Sequence, residues 1–384
     1  MSKINSMLVI SEGFPNKNCP YRYTFLEQVV TGFADQGIAV SVVCPVYNSE
    51  KKYFFKNYWE YRSKKGNTVK VYQPIINNYS VRKIGPIKLG VLTYKSFRNA
   101  VFHVVEKHSI NPDVVYSHFM FPSGCVAAEL GQHIQARSFC ACGESNIDKF
   151  IAPVGTEYLR KRFSLISGII SVSSENKRII EEKNLAPSTP IIVLPNGVDH
   201  DLFHPLNKRE CRDKLHLNED DFVGIFVGGF NENKGVNRVE EASTKIDGLK
   251  MIYIGANGSP PTKGDIVFCG KTAHDKIPEF LCAADFFVLP TRAEGCCNAI
   301  LEAMACGLPI ISSDRPFNYD VLSNDTAVLI DPDSISSIVS SIEMVRNREV
   351  ALRLSRCSIE RVINLRVDQR VKDIISFITG IENT

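Results

Sequence analysis

The sequence predicts an α/β protein made of two doubly wound parallel-sheet domains. Its 384 residues are more than one domain of ordinary size holds. Short apolar runs rich in β-branched residues alternate with segments of helical period, and this alternation stops and restarts around PNGVDHDLFHP, residues 195–205. Continuous apolar strands separated by helices are typical of a parallel sheet that is covered on both faces. We therefore expect one such sheet on each side of the break.

The first half of the chain supplies the elements of one sheet. In order, its apolar runs are MLVI (7–10), AVSVVC (39–44), DVVYSH (113–118), RSFC (137–140), GIISVS (168–173) and PIIVLP (190–195). Segments of helical period lie at 25–37, 91–108 and 125–131. This order is typical of parallel strands joined by helical crossovers.

The second half repeats the pattern. Its apolar runs are VGIFVGG (223–229), LKMIYIG (249–255), DIVFCG (265–270), DFFVLP (285–290), LPIISS (308–313) and TAVLID (326–331). Helical segments lie near 237–245, 276–284 and 298–306, and two terminal helices follow, the last pattern running over about 367–381. Ligands of open α/β sheets bind outside the carboxyl ends of the strands, so we expect the two sheets to face a central cleft.

The break predicts the domain boundaries. Pro195, the Asn196-Gly197 pair and Pro205 are turn signals, and we place a hinge there. The expected domains are residues 1–197 and 198–365. Residues 366–384 are expected to form a terminal helix, and one arrangement is that this helix packs back on the first domain.

Composition excludes several classes of protein. The 45 basic and 42 acidic side chains give a net charge of +3, and 44% of the residues are hydrophobic, which excludes disordered, collagen-like and coiled-coil chains. The 12 cysteines include no CxxC pair, so neither a zinc site nor a redox motif is expected. The apolar stretch near the N-terminus is too short for a signal or a membrane span. We expect a cytoplasmic protein with free thiols.

One segment, residues 51–100, is strongly basic. It carries twelve Lys and Arg against the single acid Glu60, together with ten aromatic residues that include the only tryptophan. The candidate membrane or acceptor surface comprises Lys51, Lys52, Lys56, Trp59, Lys64 and Lys65. Such a mixture suits the anionic inner face of a membrane, and a solvated, partly buried surface is an equal alternative. RNA is a weaker third option and no nucleic-acid partner is expected, because no RRM or KH signature accompanies the charge.

The segment 287–314, FVLPTRAEGCCNAILEAMACGLPIISSD, predicts an anion site. A strand ends near Pro290, and a helix runs from about Asn298 until Gly307. The amide groups of Cys296, Cys297 and Asn298 would lie at the positive end of this helix. Glu294 precedes that end, and Glu302 follows eight residues later. Helical spacing would place the two carboxylates on one side, roughly 10 Å apart, where they could bind hydroxyls at both ends of a nucleotide sugar. The alternative is that Glu294 is simply a loop carboxylate and that Glu302 occupies a solvated position on the helix.

A second anion site is expected in VGIFVGGFNENKG, residues 223–235. A strand ends at Gly228 and Gly229, where the missing Cβ atoms let the backbone approach a ligand. Lys234 comes just before the next helix. The glycine spacing matches neither Walker A nor the dinucleotide fingerprint.

Together these segments resemble family 4 of the retaining nucleotide-sugar glycosyltransferases, which have the GT-B fold of two Rossmann-like domains. The resemblance covers nearly the whole chain. Its most specific part is Glu294, seven residues, then Glu302, and it also includes PNGVDHDLF, FVGGFNENKG and PDVVYSHFMFPSG.

The resemblance implies roles for the site residues. Glu302 would hold the donor ribose, Glu294 would contact the transferred sugar, and the amides of Cys296, Cys297 and Asn298 would bind sugar oxygens and the distal phosphate. Gly228, Gly229 and Gly295 would lie against the donor. Lys234 would neutralise charge that builds up on the leaving diphosphate. No metal and no cofactor is expected.

The chain departs from the family pattern at three places. Gly229 stands where an Arg is usual, so one phosphate cation is either missing or supplied from elsewhere, with Arg292 and Arg22 as the candidates. The first loop reads PNKNCPYRYTF instead of carrying paired glycines. Cys142 stands where many members have a His.

Two residues of the first domain are candidate catalytic groups. Glu144, close to Cys142, could accept hydroxyl hydrogen bonds or deprotonate the acceptor, or it could be a plain loop residue. His118, at a strand end, is a further candidate, although a packed, hydrogen-bonded neighbour of the site is the commoner role for such a histidine.

The expected activity is transfer of a hexosyl group, with retention, from a UDP- or GDP-sugar to a saccharide. The resemblance and the basic segment favour a lipid-linked glycan of surface polysaccharide or lipopolysaccharide assembly, with the protein peripheral at the inner face of the membrane. The alternatives are a sugar-nucleotide epimerase of the same fold and a non-catalytic subunit that binds nucleotide sugars.

Overall fold

The computed structural model describes residues 4–79, 83–84 and 87–381. Arg82, one of the basic residues of segment 51–100, lies outside the described residues, as do the last three residues of the predicted terminal segment. The chain forms two compact units. The first comprises the described residues up to Leu194 together with those from Arg370 on, and the second comprises Pro195–Gln369.

The first unit is built on an eight-stranded sheet. Its strands, and those of two small two-stranded sheets, are β1 (Ser6–Ile10), β2 (Ala39–Val43), β3 (Val46–Tyr47), β4 (Tyr58–Arg62), β5 (Thr68–Tyr72), β6 (Ile75–Ile76), β7 (Lys83–Ile84), β8 (Ile87–Lys88), β9 (Val114–His118), β10 (Arg137–Cys142), β11 (Gly168–Ser171) and β12 (Ile191–Val193). The strand order is β12-β11-β10-β9-β1-β2-β5-β4, and the small sheets pair β3 with β6 and β7 with β8. The pairings of the large sheet are parallel except that of β4 with β5.

The helices of the first unit cover this sheet. They are α1 (Thr24–Asp35), α2 (Gly90–Lys107), α3 (Cys125–Ile134), α4 (Ile147–Ile151), α5 (Thr156–Phe163) and α6 (Ser174–Glu182), with a 3-10 turn at Asn48–Tyr53 and a wider turn at Met120–Gly124. Strands β1, β9 and β10 are almost wholly buried, which is why they read as continuous apolar runs.

The second unit has one six-stranded sheet. Its strands are β13 (Phe222–Val227), β14 (Leu249–Ile254), β15 (Asp265–Gly270), β16 (Phe286–Leu289), β17 (Ile310–Ser313) and β18 (Ala327–Ile330). Its helices are α7 (Lys208–Lys214), α8 (Val236–Ser243), α9 (Ile277–Ala283), α10 (Asn298–Ala305), α11 (Ile335–Arg346) and α12 (Arg348–Val362), with 3-10 turns at His274–Lys276 and Pro316–Asn318. The order is β15-β14-β13-β16-β17-β18, and its pairings are parallel. The predicted α/β class with two doubly wound parallel sheets is confirmed.

Three helices follow β18, one more than the sequence predicts. Asn347 separates α11 from α12: its backbone is extended, and its side chain accepts hydrogen bonds from the amides of Glu349 and Val350. Asparagine at this position caps a new helix, so a continuous helical pattern is divided in two.

The last helix, α13 (Val367–Gly380), completes the first unit with its residues from Arg370 on. The Arg370 guanidinium donates to the carbonyl oxygen of Leu194. Phe377 packs edge-on against Phe139 of β10, with ring centroids 6.1 Å apart. Helix α13 therefore packs against the first sheet and forms part of the core of the first unit.

In each sheet there is one strand from which the chain order of the strands runs outward in both directions. The candidate site residues lie at the carboxyl ends of the strands around this point. In the first sheet β1 has β2 on one side and β9 on the other, and in the second β13 has β14 on one side and β16 on the other. His118 is the last residue of β9, and the loops that follow the carboxyl ends of β1, β13 and β16 carry Glu12, Lys234 and Glu294. Such switch points are where open α/β sheets bind ligands.

Candidate active site

The loop after β13 presents Lys234. The Asn231 side chain accepts a hydrogen bond of 3.0 Å from the Lys234 amide and thereby closes the loop. Gly235 follows with φ of 80°, and a Cβ there would lie 2.7 Å from the carbonyl oxygen of Pro290. Only glycine combines this backbone conformation with so close an approach, so Gly235 lets the Lys234 loop lie against the end of β16.

The loop after β16 presents Glu294, and the two loops are joined. Asn233 donates through its side chain to the carbonyl oxygen of Ala293 at 3.0 Å, and its own carbonyl accepts from the Arg292 amide at 2.9 Å. Thr291 Oγ1 donates to Glu294 Oε1 at 3.0 Å. These bonds hold the two candidate side chains on one hydrogen-bonded pair of loops.

Lys234 Nζ forms an ion pair with Glu294 Oε1 at the switch point of the second sheet. The side chains are 24% and 11% exposed. Burial alone would lower the pKa of Lys234, but the charge of Glu294 and the hydrogen bond to it raise that pKa above its ordinary value. Lys234 is therefore a fixed cation.

The N-terminus of α10 lies directly after Glu294 and Gly295. Within the described chain no side chain caps this helix, whose N-cap is Cys297. Asn196 Nδ2 donates to the carbonyl oxygen of Cys296 at 3.2 Å and to Asn298 Oδ1 at 2.8 Å, which holds the turn in place. Burial raises the pKa of the Cys297 thiol to about 12, although Lys234 opposes this shift. The helix start is thus a neutral, amide-rich surface beside a cation, which suits an anion.

Glu302 is held by a residue that the sequence did not single out, His274. His274 Nε2 lies 2.9 Å from Glu302 Oε1, and its ring packs edge-on against Phe203 at 5.2 Å. Burial lowers the pKa of His274, but the hydrogen bond and the charge of Glu302 outweigh burial and raise it above its ordinary value. The only signal in the sequence was a histidine just ahead of a helix, in KTAHDK.

The estimate of about 10 Å between Glu294 and Glu302 does not apply, because it assumed that both lie on one helix. Helix α10 begins at Asn298, so Glu294 belongs to the preceding loop. Each carboxylate also has its own cationic or titratable partner, Lys234 for Glu294 and His274 for Glu302.

The two arginines considered as replacements for the one missing at Gly229 are engaged elsewhere. Arg292 pairs with Asp333 at 2.6 Å and with Glu232 at 2.8 Å. Arg22 stacks on the Tyr53 ring at 4.3 Å and pairs with Glu50 at 3.4 Å. A Cβ at position 229 would lie 2.6 Å from the side-chain nitrogen of Asn231, so Asn231 occupies the space beside this backbone.

In the first unit, Glu144 follows β10 and is buried. Its Oε1 accepts a hydrogen bond from the Met120 amide, and its Oε2 has no hydrogen-bond partner among the described residues. Burial raises the pKa of Glu144 to about 7, against the effect of the backbone amides of Met120, Glu144 and Gly143. A buried carboxyl with one unused oxygen can accept from a substrate hydroxyl or take its proton.

Glu12, after β1, is a second carboxyl that the sequence did not single out. Burial raises the pKa of Glu12 to about 7, and the nearby charge of Glu144 raises it further. Two groups act in the opposite direction: the Tyr47 hydroxyl, which donates a hydrogen bond of 3.3 Å to Glu12, and the charge of Arg22. The signal was the acid directly after a buried strand in LVISEG.

His118 ends β9 and is packed. Its ring contacts Phe25 and Phe119, each with centroids 5.0 Å away, and in the described structure its Nδ1 has no hydrogen-bond partner. Burial, helped by the charge of Arg370, lowers the pKa of the ring to about 3. His118 is therefore neutral at physiological pH.

The basic surface divides into two groups. Lys51, Lys52 and Lys56 are exposed before β4, where Lys52 and Lys56 lie over the Tyr53 and Phe55 rings at 5.0 and 5.1 Å. Trp59 is half-buried against Phe55. Lys64 and Lys65 are exposed in the turn after β4, at the other end of that strand. The structure thus does not bring all five lysines together.

The described residues hold neither a membrane-spanning helix nor a cluster of metal ligands. No helix in the described part is long and apolar enough to cross a bilayer. In the same residues, no three His, Cys, Asp or Glu side chains are grouped as metal ligands would be.

Comparison with known families covers both units. The Glycosyltransferase Family 4 model matches residues 24–202, and the model for Glycosyl transferases group 1 matches residues 221–347. The chain belongs to the family 4 glycosyltransferases. This glycosyltransferase is 25% identical over 359 residues to TuaC of Bacillus subtilis, assigned to teichuronic acid biosynthesis, with 90% of each chain covered.

A second curated relative of this glycosyltransferase is from Escherichia coli. It is named UDP-Gal:alpha-D-GlcNAc-diphosphoundecaprenol alpha-1,3-galactosyltransferase and is 29% identical over 233 residues, covering 54% of this chain and 59% of its own.

Solved structures with the GT-B fold resemble the glycosyltransferase over almost its full length. The sucrose-phosphate synthase of Thermosynechococcus elongatus superposes with a TM-score of 0.78 at 18% identity, covering 98% of both chains. Anabaena HepE, solved with UDP-glucose, gives 0.70 at 14% identity, covering 98% of this chain and 100% of its own. The fold is GT-B, as the sequence predicts.

Proposed function

We propose that this glycosyltransferase moves a hexosyl group, with retention at the anomeric carbon, from a UDP- or GDP-sugar to a saccharide, without a bound metal or other cofactor. The observation that carries the proposal is the Lys234–Glu294 ion pair, fixed at the switch point of the second sheet and directly before the N-terminus of α10. A cation, a carboxylate and the N-terminus of a helix are groups that suit a sugar diphosphate.

The diphosphate is expected at Lys234 and the α10 amides. Glu294 already pairs with the Lys234 ammonium group, so a bound phosphate would be the second anion that contacts this group. Glu294 remains free to accept a hydroxyl hydrogen bond through Oε2. Gly228, Gly229 and Gly295 add backbone without side-chain bulk beside these groups.

The ribose is expected at Glu302. Its carboxylate is 13% exposed and is held from one side by His274, so its remaining lone pairs can accept the two ribose hydroxyls. His274 has no chemical part in this scheme and acts by positioning Glu302.

The reaction would proceed on one face of the sugar. The bond from the anomeric carbon to the diphosphate oxygen breaks, the acceptor oxygen bonds to the same face, and the acceptor proton passes to the leaving diphosphate. Lys234 stabilises the charge that develops on that diphosphate. The structural surroundings of His118 do not favour it as the base.

The acceptor is expected at the first unit, where Glu144 offers a buried, unused carboxyl oxygen. The named relatives support a lipid-linked glycan of surface polysaccharide assembly, because one uses an undecaprenol-linked acceptor and another is assigned to teichuronic acid. The exposed Lys51, Lys52 and Lys56 support a peripheral position on an anionic membrane face.

Calorimetry with UDP, GDP and ADP and several of their sugars tests the donor site. We expect one nucleotide family to bind the wild type and Glu302→Ala to weaken it at least tenfold. Glu360→Ala, at an exposed position of α12, is the matched control and should bind normally. Normal binding by Glu302→Ala would contradict the assignment.

Product analysis separates the remaining alternatives. Transfer to a saccharide with the retained anomer supports the proposal, whereas the inverted anomer would exclude retention. Release of an epimerised sugar without any acceptor would indicate the epimerase. Binding without turnover in the presence of a lipid-linked acceptor panel would indicate the non-catalytic subunit.

A further inference from the structure

Four aromatic residues lie together at the carboxyl ends of the first sheet, and we call Tyr23, Phe25, Phe119 and Phe150 the aromatic wall. Phe119 directly follows β9, Tyr23 and Phe25 lie at the start of α1 after β1, and Phe150 lies on α4 after β10. Strands β1, β9 and β10 are neighbours in the sheet, so the four rings come from three adjacent strand ends. All four residues are partly exposed, so their rings are open to a ligand.

Phe119 is at the centre of the aromatic wall. Its ring centroid lies 6.3 Å from that of Tyr23 and 6.4 Å from that of Phe25, and both rings meet it edge-on. The Phe150 ring is stacked on it, with centroids 6.1 Å apart and 22° between the planes. The wall is therefore a continuous aromatic surface, and Phe119 is the residue on which it depends.

Two residues of the aromatic wall have backbone conformations that residues other than glycine rarely adopt. Phe119 has φ of 70° and ψ of 147°, and Tyr23 has φ of 61° and ψ of 30°. A cluster that served packing alone would gain nothing from this strain, because buried aromatic rings pack well from ordinary backbone. Strained residues concentrate at binding and catalytic sites, and here two of them hold rings of the same surface.

The neighbours of Phe119 enforce its conformation. Its amide donates to the carbonyl oxygen of Ala141 at 2.9 Å, and its carbonyl oxygen accepts from the Gly124 amide at 3.0 Å. The amide of the next residue, Met120, donates to Glu144 Oε1. Because hydrogen bonds fix the peptide groups on both sides, the ring is held in place before a ligand arrives.

The wall also lies beside two carboxyl groups. A Cβ on Gly143, the residue before Glu144, would lie 3.6 Å from the ring of Phe119. A Cβ on Gly13, the residue after Glu12, would lie 2.5 Å from the ring of Tyr23, an approach that needs glycine. Glu144 Oε2 has no hydrogen-bond partner among the described residues, and Glu12 is partly exposed. Aromatic surface and hydrogen-bond acceptors thus meet at one place.

We propose that the aromatic wall binds a neutral pyranose ring, which packs on it through its C–H face. The C–H bonds of that face are weakly positive, and the faces of aromatic rings are negative. The hydroxyls on the edge of the sugar then lie beside Glu12 and Glu144, which can accept hydrogen bonds from them. That this sugar is the acceptor rests on the proposed function, whereas binding of the sugar does not.

The same arrangement selects against acidic sugars. A uronic acid bound on the wall would bring a third carboxylate beside Glu12 and Glu144, and like charges repel strongly where water is largely excluded. The cation in this region, Arg22, is already paired with Glu50 at 3.4 Å and stacked on Tyr53. We therefore expect the subsite to discriminate between a neutral hexose and the corresponding uronic acid.

Saturation-transfer NMR on the full chain tests the wall without turnover. The aromatic protons of the protein are saturated, and the signal is followed on methyl glycosides of glucose, galactose, mannose and N-acetylglucosamine. We expect transfer to the ring C–H protons of at least one of them, about fivefold weaker in Phe119→Leu. The methyl glycoside of glucuronic acid should receive none. No transfer to any neutral glycoside, or equal transfer to the glucuronide, would overturn the proposal.

The chain offers matched controls. Phe119→Tyr keeps an aromatic ring and should retain the transfer, which separates the ring from a general effect of substitution. Tyr319→Leu removes an exposed ring of the second unit and should change nothing. If melting curves show that Phe119→Leu does not fold, Phe150→Leu on the regular helix α4 replaces it. Wild-type transfer in the folded variant would overturn the proposal.

A lipid chain is the other apolar group that such a wall could hold. The n-octyl form of the glycoside that binds, used below its micelle concentration, distinguishes the two parts of a lipid-linked glycan. We expect saturation on its ring C–H protons. Saturation confined to the octyl protons would show that the wall binds the lipid and would overturn the assignment to a sugar.

Steady-state kinetics test whether the bound sugar is the acceptor. With the nucleotide sugar and the lipid-linked acceptor that the wild type uses, we expect Phe119→Leu to raise the KM for the acceptor about tenfold and to leave the KM for the donor unchanged. Equal changes in both values would contradict an acceptor subsite. If the wild type transfers no sugar, the proposed function fails, and the NMR result alone decides on the aromatic wall.

Discussion

His274 Nε2 lies 2.9 Å from Glu302 Oε1, and this hydrogen bond links the start of α9 to the middle of α10. The carboxylate proposed to bind ribose is therefore held in one orientation before a donor arrives. Orientation by a neighbouring group reduces the ordering that binding would otherwise require.

Removal of His274 should weaken nucleotide binding without abolishing it. His274→Ala leaves Glu302 with its charge but without its fixed rotamer, and loss of a hydrogen bond to a charged group costs about 1.5 kcal/mol, or roughly tenfold in affinity. Calorimetry with the preferred nucleotide measures this. His204→Ala, at an exposed histidine, is the control. An affinity equal to that of the wild type would show that Glu302 needs no such support.

The same pair predicts a pH dependence of stability. The pKa of His274 is raised in the folded chain, so its contribution is fully present below the ordinary histidine pKa and is lost as pH rises through the raised value. The wild type should therefore lose stability relative to His274→Phe between about pH 6 and pH 8.5. Thermal melts at both pH values measure this difference. A constant gap between the two proteins would contradict the interpretation.

Lys234→Met should mainly lower turnover. The ammonium group is proposed to act on charge that develops as the nucleotide leaves, and loss of one such group typically costs about 10²- to 10³-fold in kcat. Steady-state kinetics at saturating donor test this, with Lys263→Met at an exposed position as the control. The removal also leaves Glu294, which is 11% exposed, without its cation, so melting curves of the variant are needed alongside. Unchanged kcat would remove Lys234 from the mechanism.

Glu144→Gln should stabilise the protein at high pH and not at low pH. The folded pKa of Glu144 is about 7 against an ordinary value of 4.5, so ionisation costs stability as pH rises through this range. The difference amounts to about 3 kcal/mol above pH 7 and disappears below pH 4.5. Denaturant unfolding at pH 5 and pH 8 measures it, with Glu157→Gln at an exposed position of α5 as the control. Glu12 titrates in the same range and should leave part of the pH dependence in the variant.

Vesicle binding should depend on the lysines before β4 more than on those after it. Replacing Lys51, Lys52 and Lys56 by Gln removes up to about 3 kcal/mol of attraction to an anionic surface, at roughly 1 kcal/mol each. Replacing Lys64 and Lys65 tests the other end of the strand. Co-sedimentation with anionic vesicles at low salt compares the three proteins, and no binding by the wild type would exclude the membrane contact.

The sequence predicted most strands and helices because buried parallel strands leave an unmistakable apolar run. Within the large sheet it missed β4 and β5. In β4, YWEYR alternates half-buried Trp59 and Tyr61 with exposed Tyr58, Glu60 and Arg62, and this edge strand pairs antiparallel with β5. An alternation this short, within a basic segment, resembles a solvated loop.

The part of the candidate site that follows from spacing along the chain could be proposed from the sequence. Glu294, Lys234 and Glu302 lie in recognisable segments, whereas His274 and Glu12 stand out only through tertiary contacts within their own units, His274 with Glu302 and Glu12 with Tyr47. Nothing in KTAHDK shows that its histidine meets a carboxylate 28 residues later. Tertiary contacts of this kind require the folded chain.

The return of the chain to its first unit constrains synthesis on the ribosome. Val371 fills the space above Gly32 of α1, and Arg137 donates to the carbonyl oxygen of Ile378. These partners are more than two hundred residues apart in sequence, so α1 leaves the exit tunnel long before α13, which packs against it. The second unit, contiguous from Pro195 to Gln369, can fold in the meantime. We therefore expect the first unit to be completed only after the second has been made, with Phe139 lacking its Phe377 contact until α13 emerges.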